Sequence, residues 1–447
     1  MTNTGSSQQR DRWNGGKALR SGALLVALAG VLCATGARAH EEQEHLPTIQ
    51  ATIDTDIHRA TPVPHRYLHG VIPDDAKFQM LLPDNWNGKV IIHTRGFSGT
   101  EFSTGAFEPA ALAKGYAFAA SDEGWNRFTI ATRPQDSYYE TRQRLWELTI
   151  YTHATVKAYY GKRSSRTMLV GGSNGGHSAR WIVEDFPELF DGGISGYGYN
   201  SYVSQWGGVA HLLRNYDVIA SRIDDIIAKR AASPAWDPFH EPLSPPLTAE
   251  QLKALHAIYR YPQALGDGFP YDAGRWPGSE AQWKATYGAN LGYLRDSMTR
   301  FDPSFHPNGY PLSDADLKQW DPTRSPTWVQ KELRKLDVNG DLKRPIIAMH
   351  GAADPIVSPG ETAGYMRLLE ARYGPKRTRE LLAVYYIPGM GHGGAQFNDL
   401  VPAQIDALEA WIDFHQSHGR RGAAAPDQIG IYPRAPGSEE EQDNHGD

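Results

Sequence analysis

Thr167-Met168-Leu169-Val170 is a short apolar run, and Gly171-Gly172-Ser173-Asn174-Gly175-Gly176 follows it without a break. A run of this length suits a strand buried on both faces of a parallel sheet. Helical residues come next, from Gly176 to Phe186. Strand, sharp turn and helix form the setting that a G-x-S-x-G motif needs to present a nucleophile. The reason is steric. The turn forces Ser173 into strained backbone, and Gly171 and Gly175, two before and two after it, avoid clashes with neighbouring chain. The Ser173 hydroxyl then stands at a helix N-terminus, whose dipole favours developing negative charge.

The same rhythm recurs on both sides of this segment. Strands are expected at Lys77 to Leu82, Lys89 to His93 and Tyr116 to Ala120, with a helix at Pro109 to Lys114. Leu145, Leu148, Thr152, Val156 and Tyr159 repeat at helical spacing. Further strands are expected at Asp191 to Gly196, Pro345 to His350 and Leu382 to Ile387. Helices are expected from Glu361 to Tyr373 and along the stripe Ile405, Leu408, Ile412 and His415. Strand–helix alternation predicts an α/β fold with a mostly parallel sheet covered on both faces. Residues 40 to about 60 are polar and read as poorly ordered.

A serine hydroxyl needs a base. His392 lies in Pro388-Gly389-Met390-Gly391-His392-Gly393-Gly394, a glycine-rich loop after the last expected strand, from which it can swing over the sheet edge to Ser173. With 17 histidines in the chain, position selects it rather than residue type. His177, four residues past the serine, reads as an ordinary helix residue. The carboxylate that orients the base is expected after the preceding strand, where His350-Gly351-Ala352-Ala353-Asp354-Pro355 supplies Asp354. The order Ser, Asp, His is that of the α/β-hydrolase fold. An oxyanion hole takes two backbone N–H groups. Asn174 is expected to give one, and Gly96 or Phe97, in Arg95-Gly96-Phe97-Ser98-Gly99 after the second strand, the other.

The pattern breaks between residues 201 and 340. Six of the twelve tryptophans fall there, and Thr248 with Gln251 and Ser313 with Asp316 have the spacing of helix N-terminal caps. This stretch is expected to be an inserted lid that contacts substrate. The catalytic domain then comprises residues 40–200 and 341–430, with a disordered acidic tail over 431–447.

The chain has 447 residues, 21% charged and 40% hydrophobic, which describes a globular protein. Its formal net charge of −6 offers no basic excess for nucleic acid or anionic lipid. Arg10, Arg12, Lys17 and Arg20 precede an apolar stretch from Ser21 to Gly36, and Ala37-Arg38-Ala39 has the form of a cleavage site. A signal peptide over residues 1–39 and export to the periplasm or medium are therefore expected. Cleavage before His40 would take the net charge from −6 to −10 and remove Cys33, the only cysteine. The mature chain would hold no disulfide and would not associate with membrane. No His/Cys cluster suggests zinc and no phosphate-binding loop suggests a nucleotide, so no cofactor or metal is called for. Asp337-Val338-Asn339-Gly340-Asp341 has part of a calcium-loop spacing without its downstream glutamate and reads as a turn.

Several segments together resemble the tannase and feruloyl esterase family. Leu82-Pro83-Asp84-Asn85-Trp86-Asn87-Gly88 is similar to its LP-x-x-WNG segment. Tyr159-Tyr160-Gly161 followed by Gly172-Ser173-Asn174-Gly175-Gly176 is similar to its YYG and CS-x-GG segments. Phe186-Pro187-Glu188-Leu189-Phe190-Asp191-Gly192, His350-Gly351-Ala352-Ala353-Asp354, Pro388-Gly389-Met390-Gly391-His392 and Ala424-Ala425-Pro426-Asp427 match further family segments. Roughly half the chain is covered. The resemblance implies Ser173, Asp354 and His392 as a triad and esters of aromatic or phenolic acids as substrates, held partly by a lid. It also implies a disulfide between cysteines before the serine and after the histidine, and here those positions are Gly172 and Gly393. A serine esterase acting on small esters is the expectation. A lactonase, a peptidase, an esterase of polyester oligomers and a non-catalytic binder on the same scaffold are the alternatives. The oligomeric state is not encoded in any motif.

Overall fold

The computed structural model describes residues 47–97, 99–124, 140–233, 236, 238, 240–259 and 280–418. The expected leader with Cys33, the Ala424 to Asp427 segment and the acidic tail lie outside the described residues, as does Ser98.

Nine strands form one sheet among these residues: β1 (Thr52–Arg59), β2 (His65–Ile72), β3 (Ala76–Pro83), β4 (Lys89–Thr94), β5 (Ala117–Ser121), β6 (Arg166–Gly172), β7 (Gly192–Gly196), β8 (Ile346–Gly351) and β9 (Leu382–Ile387). Their spatial order is β1-β2-β3-β5-β4-β6-β7-β8-β9. The pairs β1–β2, β2–β3 and β3–β5 are antiparallel, and every pair from β5–β4 to β8–β9 is parallel. This is the mostly parallel α/β-hydrolase sheet. After β4 the chain steps to one side for β5, then returns to the other side of β4 for β6. The crevice at the carboxyl ends of β4 and β6 is thus the switch point where open α/β sheets bind ligands.

The helices are α1 (Phe107–Ala113), α2 (Glu140–Tyr160), α3 (Asn174–Asp185), α4 (Tyr202–Ile219), α5 (Ile223–Ala232), α6 (Ala249–Tyr259), α7 (Glu280–Phe301), α8 (Asp314–Gln319), α9 (Thr327–Arg334), α10 (Pro359–Arg379) and α11 (Ala395–His418). Strand alternation divides them between the two sheet faces. Ile91, Phe118, Val170, Ile194 and Met349 join one core with Phe107 and Leu112 of α1 and Val401, Ile405 and Leu408 of α11. On β7, Gly192 faces Leu408 and Ile412 of α11, whereas its neighbour Gly193 faces Val183 of α3 on the other side. α10 runs on past the expected Tyr373 and kinks at Gly374, whose φ of 77° precedes Pro375.

Two strands depart from the sequence reading. Thr52–Arg59, within the stretch expected to be poorly ordered, forms β1, and His65–Ile72 forms β2. β1 is an edge strand exposed along almost its whole length, so no buried face marks it in the sequence. Cross-strand charge pairs hold it instead. Arg66 donates to both carboxylate oxygens of Asp56, and His69 Nδ1 lies 2.7 Å from Asp54.

Between β7 and β8 the described chain contains α4 to α9 and no strand. Both expected caps are present. Thr248 and Gln251 exchange backbone and side-chain bonds, and Ser313 with Asp316 forms a full capping box. Asn339 Oδ1 accepts from the Asp341 N–H, and the Asp341 carboxylate pairs with Lys343 and Arg372, so this segment is a pinned turn ahead of β8. No helix of the described residues is long and apolar enough to cross a membrane.

Candidate active site

β6 ends at Gly172 and α3 begins at Asn174, leaving Ser173 alone at the corner with φ 60° and ψ −122°. For a non-glycine residue this is a strained conformation costing on the order of 1–3 kcal/mol. Its neighbours show why glycine surrounds it. A Cβ on Gly171 would meet Thr94 O at 2.6 Å, one on Gly175 the same oxygen at 2.2 Å, and one on Gly176 would meet Gly196 O at 2.1 Å. The β6–α3 corner is therefore pressed directly against the backbone ends of β4 and β7. Ser173 N–H donates to Gly196 O at 2.9 Å, which fixes the corner further.

Ser173, His392 and Asp354 come together although 219 residues separate the first two. His392 Nε2 lies 2.9 Å from Ser173 Oγ, and His392 Nδ1 lies 2.8 Å from Asp354 Oδ2. Exposure graduates along this line, from 0% at Asp354 to 15% at His392, and Ser173 is half-buried. The carboxylate end is dry while the hydroxyl end meets solvent. Asp354 Oδ1 accepts from the backbone N–H groups of Ile356 and Val357. Burial alone would raise its pKa, but His392 and His350 beside it hold the carboxyl well below the usual carboxylate range.

His350 has no role in the sequence reading beyond its motif. Its Nε2 lies 3.0 Å from Val357 O and 3.4 Å from Asp354, while its Nδ1 lies 2.8 Å from Thr362 Oγ1. Thr362 Oγ1 in turn accepts from the buried Arg180 guanidinium. A continuous polar chain thus runs from α3 through α10 and β8 to the carboxylate. His350 is fully buried, and burial pushes its pKa down, which keeps the ring neutral. The position of His350, near the end of β8 and four residues before Asp354, is legible in the sequence, but its contacts are not.

Asn174 opens α3, so its N–H belongs to the helix's first turn, whose donors have no partner within the helix. Its side chain turns inward, with Oδ1 accepting from Tyr199 and Tyr202 hydroxyls. Gly96 and Phe97 follow β4 beside the elbow. Arg95, fully buried against Glu123, donates from Nη1 to Gly96 O at 2.8 Å and Phe97 O at 2.7 Å. Because a trans peptide sets its C=O and N–H in opposite directions, the Phe97 N–H points away from Arg95. His177 is a core residue. Its Nδ1 lies 3.0 Å from Tyr199 O, its ring stacks on Tyr199, and burial lowers its pKa to about 3.

Phe97 also joins the sheet edge to the helices between β7 and β8. Its ring meets Trp206 of α4 at 5.1 Å and Tyr293 of α7 at 5.7 Å, both edge-to-face. Among the described residues no cluster of three or more His, Cys, Asp or Glu is placed to hold a metal ion.

The sequence matches the family model described as tannase and feruloyl esterase over residues 68–229 and 341–429. An uncharacterised esterase of Agrobacterium fabrum is 24% identical over 417 residues, 76% of this chain and 74% of that one. A mono(2-hydroxyethyl) terephthalate hydrolase of Piscinibacter sakaiensis is 26% identical over 143 residues, 28% of this chain and 23% of that one. Among solved structures, feruloyl esterase B from Aspergillus oryzae superposes with a TM-score of 0.57 at 14% identity, covering 84% of this chain and 90% of that chain.

Proposed function

The chain belongs to the tannase and feruloyl esterase family and is an esterase of it, and from that premise we propose a serine acyl-enzyme hydrolase of aromatic carboxylic esters. The observation that carries the mechanism is the Ser173–His392–Asp354 relay, with contacts of 2.9 and 2.8 Å, set on a strained corner after β6. In acylation His392 Nε2 takes the Ser173 proton as Oγ attacks the ester carbonyl carbon. The N–H groups of Asn174 and of Phe97 or Gly96 receive the oxyanion. The tetrahedral adduct collapses, the C–O bond to the alcohol breaks, and the alcohol leaves with the proton from His392. Water, deprotonated by the same nitrogen, then releases the acid and restores Ser173. Asp354 holds the imidazole with its proton on Nδ1 and stabilises the imidazolium.

An aromatic acyl group is favoured by the ring of Phe97, which shares the oxyanion loop and is backed by Trp206 and Tyr293. On this reading α4 to α9 act as a lid, and residues 1–39 as an export leader. The relative from Piscinibacter sakaiensis gives a second reading a specific footing, a terephthalate monoester in place of a phenolic ester.

Hydrolysis of methyl gallate, methyl ferulate, a terephthalate monoester, a p-nitrophenyl acetate and a 3-hydroxybutyrate oligomer by one preparation tests the assignment. An aromatic ester should show the highest kcat/KM. Tyr293→Ala should raise KM for that ester by about 3–10-fold, the worth of one aromatic contact, and leave acetate turnover within about twofold. Preference for the aliphatic oligomer, unaffected by Tyr293→Ala, would refute the aromatic reading and leave the triad standing.

A further inference from the structure

Tyr197 occupies a place that its backbone resists. It follows β7 with φ 35°, a region that bulky residues avoid. Its neighbours leave no room for side chains. A Cβ on Gly196 would meet the Phe397 ring at 2.4 Å, and one on Gly198 would meet Gly176 backbone at 2.4 Å. Only the middle residue of Gly196-Tyr197-Gly198 projects, and it projects at the catalytic loops. Its ring meets His392 edge-on at 4.8 Å and Phe397 at 5.0 Å. Its hydroxyl lies 2.5 Å from the position a Cβ would take on Gly172 and 2.7 Å from that on Gly393.

Those two glycines immediately precede the nucleophile and immediately follow the base. They are also the positions where the family resemblance implies a disulfide. A single phenol oxygen touches both Cβ positions, so they stand roughly 5 Å apart or less, close to the ~3.5–4.5 Å that a disulfide spans between Cβ atoms. Phenol and cysteine pair therefore exclude one another in this space. Burial, with the Asp354 charge adding to it, pushes the Tyr197 phenol up to about 12, so the group stays neutral and acts by shape.

We propose that Tyr197 is a positioning residue, a non-covalent wedge that keeps the Ser173 corner and the His392 loop in register in place of a covalent cross-link. The strain at its backbone is tolerated because the ring fills the gap between the two loops. This inference rests on the Ser173–His392 reading of the mechanism.

The test measures kcat and KM on the best ester of the panel for Tyr197→Phe, Tyr197→Leu and Tyr197→Ala, with Ser173→Ala as control. Tyr197→Phe keeps the ring and should stay within about threefold of wild type. Tyr197→Leu, which retains an apolar contact with Phe397, and Tyr197→Ala should lose kcat by about 10–100-fold with KM little changed, as expected for a sub-ångström to 1 Å misplacement of reacting groups. Gly172→Cys and Gly393→Cys are then added to Tyr197→Ala. Oxidised glutathione accepts two electrons from the two thiols as the S–S bond forms. The cross-linked protein, verified by thiol count, should recover kcat to within about threefold of wild type and lose it again on reduction. Full kcat in both Tyr197→Leu and Tyr197→Ala would overturn the wedge. So would a cysteine pair that oxidises and restores thermal stability without kcat. Full activity in Ser173→Ala would instead defeat the underlying mechanism, whatever Tyr197 does.

Discussion

Ser173→Ala is expected to lower kcat for ester hydrolysis by about 10⁴–10⁶-fold, leaving only the rate that an oxyanion hole and bound geometry supply. The folded structure gives no reason for a compensating loss of stability. Ser173 Oγ makes no capping bond to α3, and the corner is fixed by the backbone bond from Ser173 N to Gly196 O, which alanine keeps. KM should therefore stay within about threefold and Tm should not fall. Saturation kinetics and thermal melts on the same purified protein check both halves. Unchanged kcat with a lowered Tm would mean that Ser173 is a structural corner residue only.

Asp354→Asn is expected to cost about 10³–10⁴-fold in kcat with KM nearly unchanged, through the tautomer of His392. In Asp354 one oxygen is committed to the Ile356 and Val357 N–H groups and the other accepts from His392 Nδ1. An asparagine that keeps the backbone bonds with its carbonyl oxygen must present its NH₂ to Nδ1. The imidazole then moves its proton to Nε2, which can no longer take one from Ser173. The substitution also removes a stabilising charge. The Asp354 pKa lies below the ordinary 3.8, so the stability it contributes is complete above that value and is lost as pH falls through the lower folded value. The variant should accordingly lose more Tm at pH 7 than at pH 3. Equal Tm losses at both, with kcat intact, would contradict the assigned role.

Local chemistry accounts for what the sequence made legible. The glycines around Ser173 leave a mark because backbone oxygens of Thr94 and Gly196 forbid any Cβ there. The loops carrying Asp354 and His392 follow apolar strands whose burial is uniform, so their positions in the fold could be read from order alone. β1 escaped because both its faces are wet and its partners, Arg66 and His69, are set by cross-strand register rather than by hydrophobic pattern. His350, Arg95 and Tyr197 escaped for another reason. Each makes side-chain contacts that no local pattern announces, as when Arg95, buried against the distant Glu123, grips the Gly96 and Phe97 carbonyls. The absence of cysteine at Gly172 and Gly393 was visible in the sequence. The phenol that fills their place is visible only in three dimensions.

The proposed mechanism passes through a covalent acyl-serine, which can be trapped. Enzyme quenched in acid during turnover of its best aromatic ester would be digested with trypsin and examined by mass spectrometry. The fragment Thr167 to Arg180 holds Ser173 between two arginine cleavage sites. This peptide should gain the mass of the acyl group, fragmentation should place that mass on Ser173 rather than Ser178, and Asp354→Asn should slow its appearance. An unmodified peptide from enzyme that is turning over, with prior labelling of Ser173 by a serine-directed phosphonate leaving activity unchanged, would contradict it.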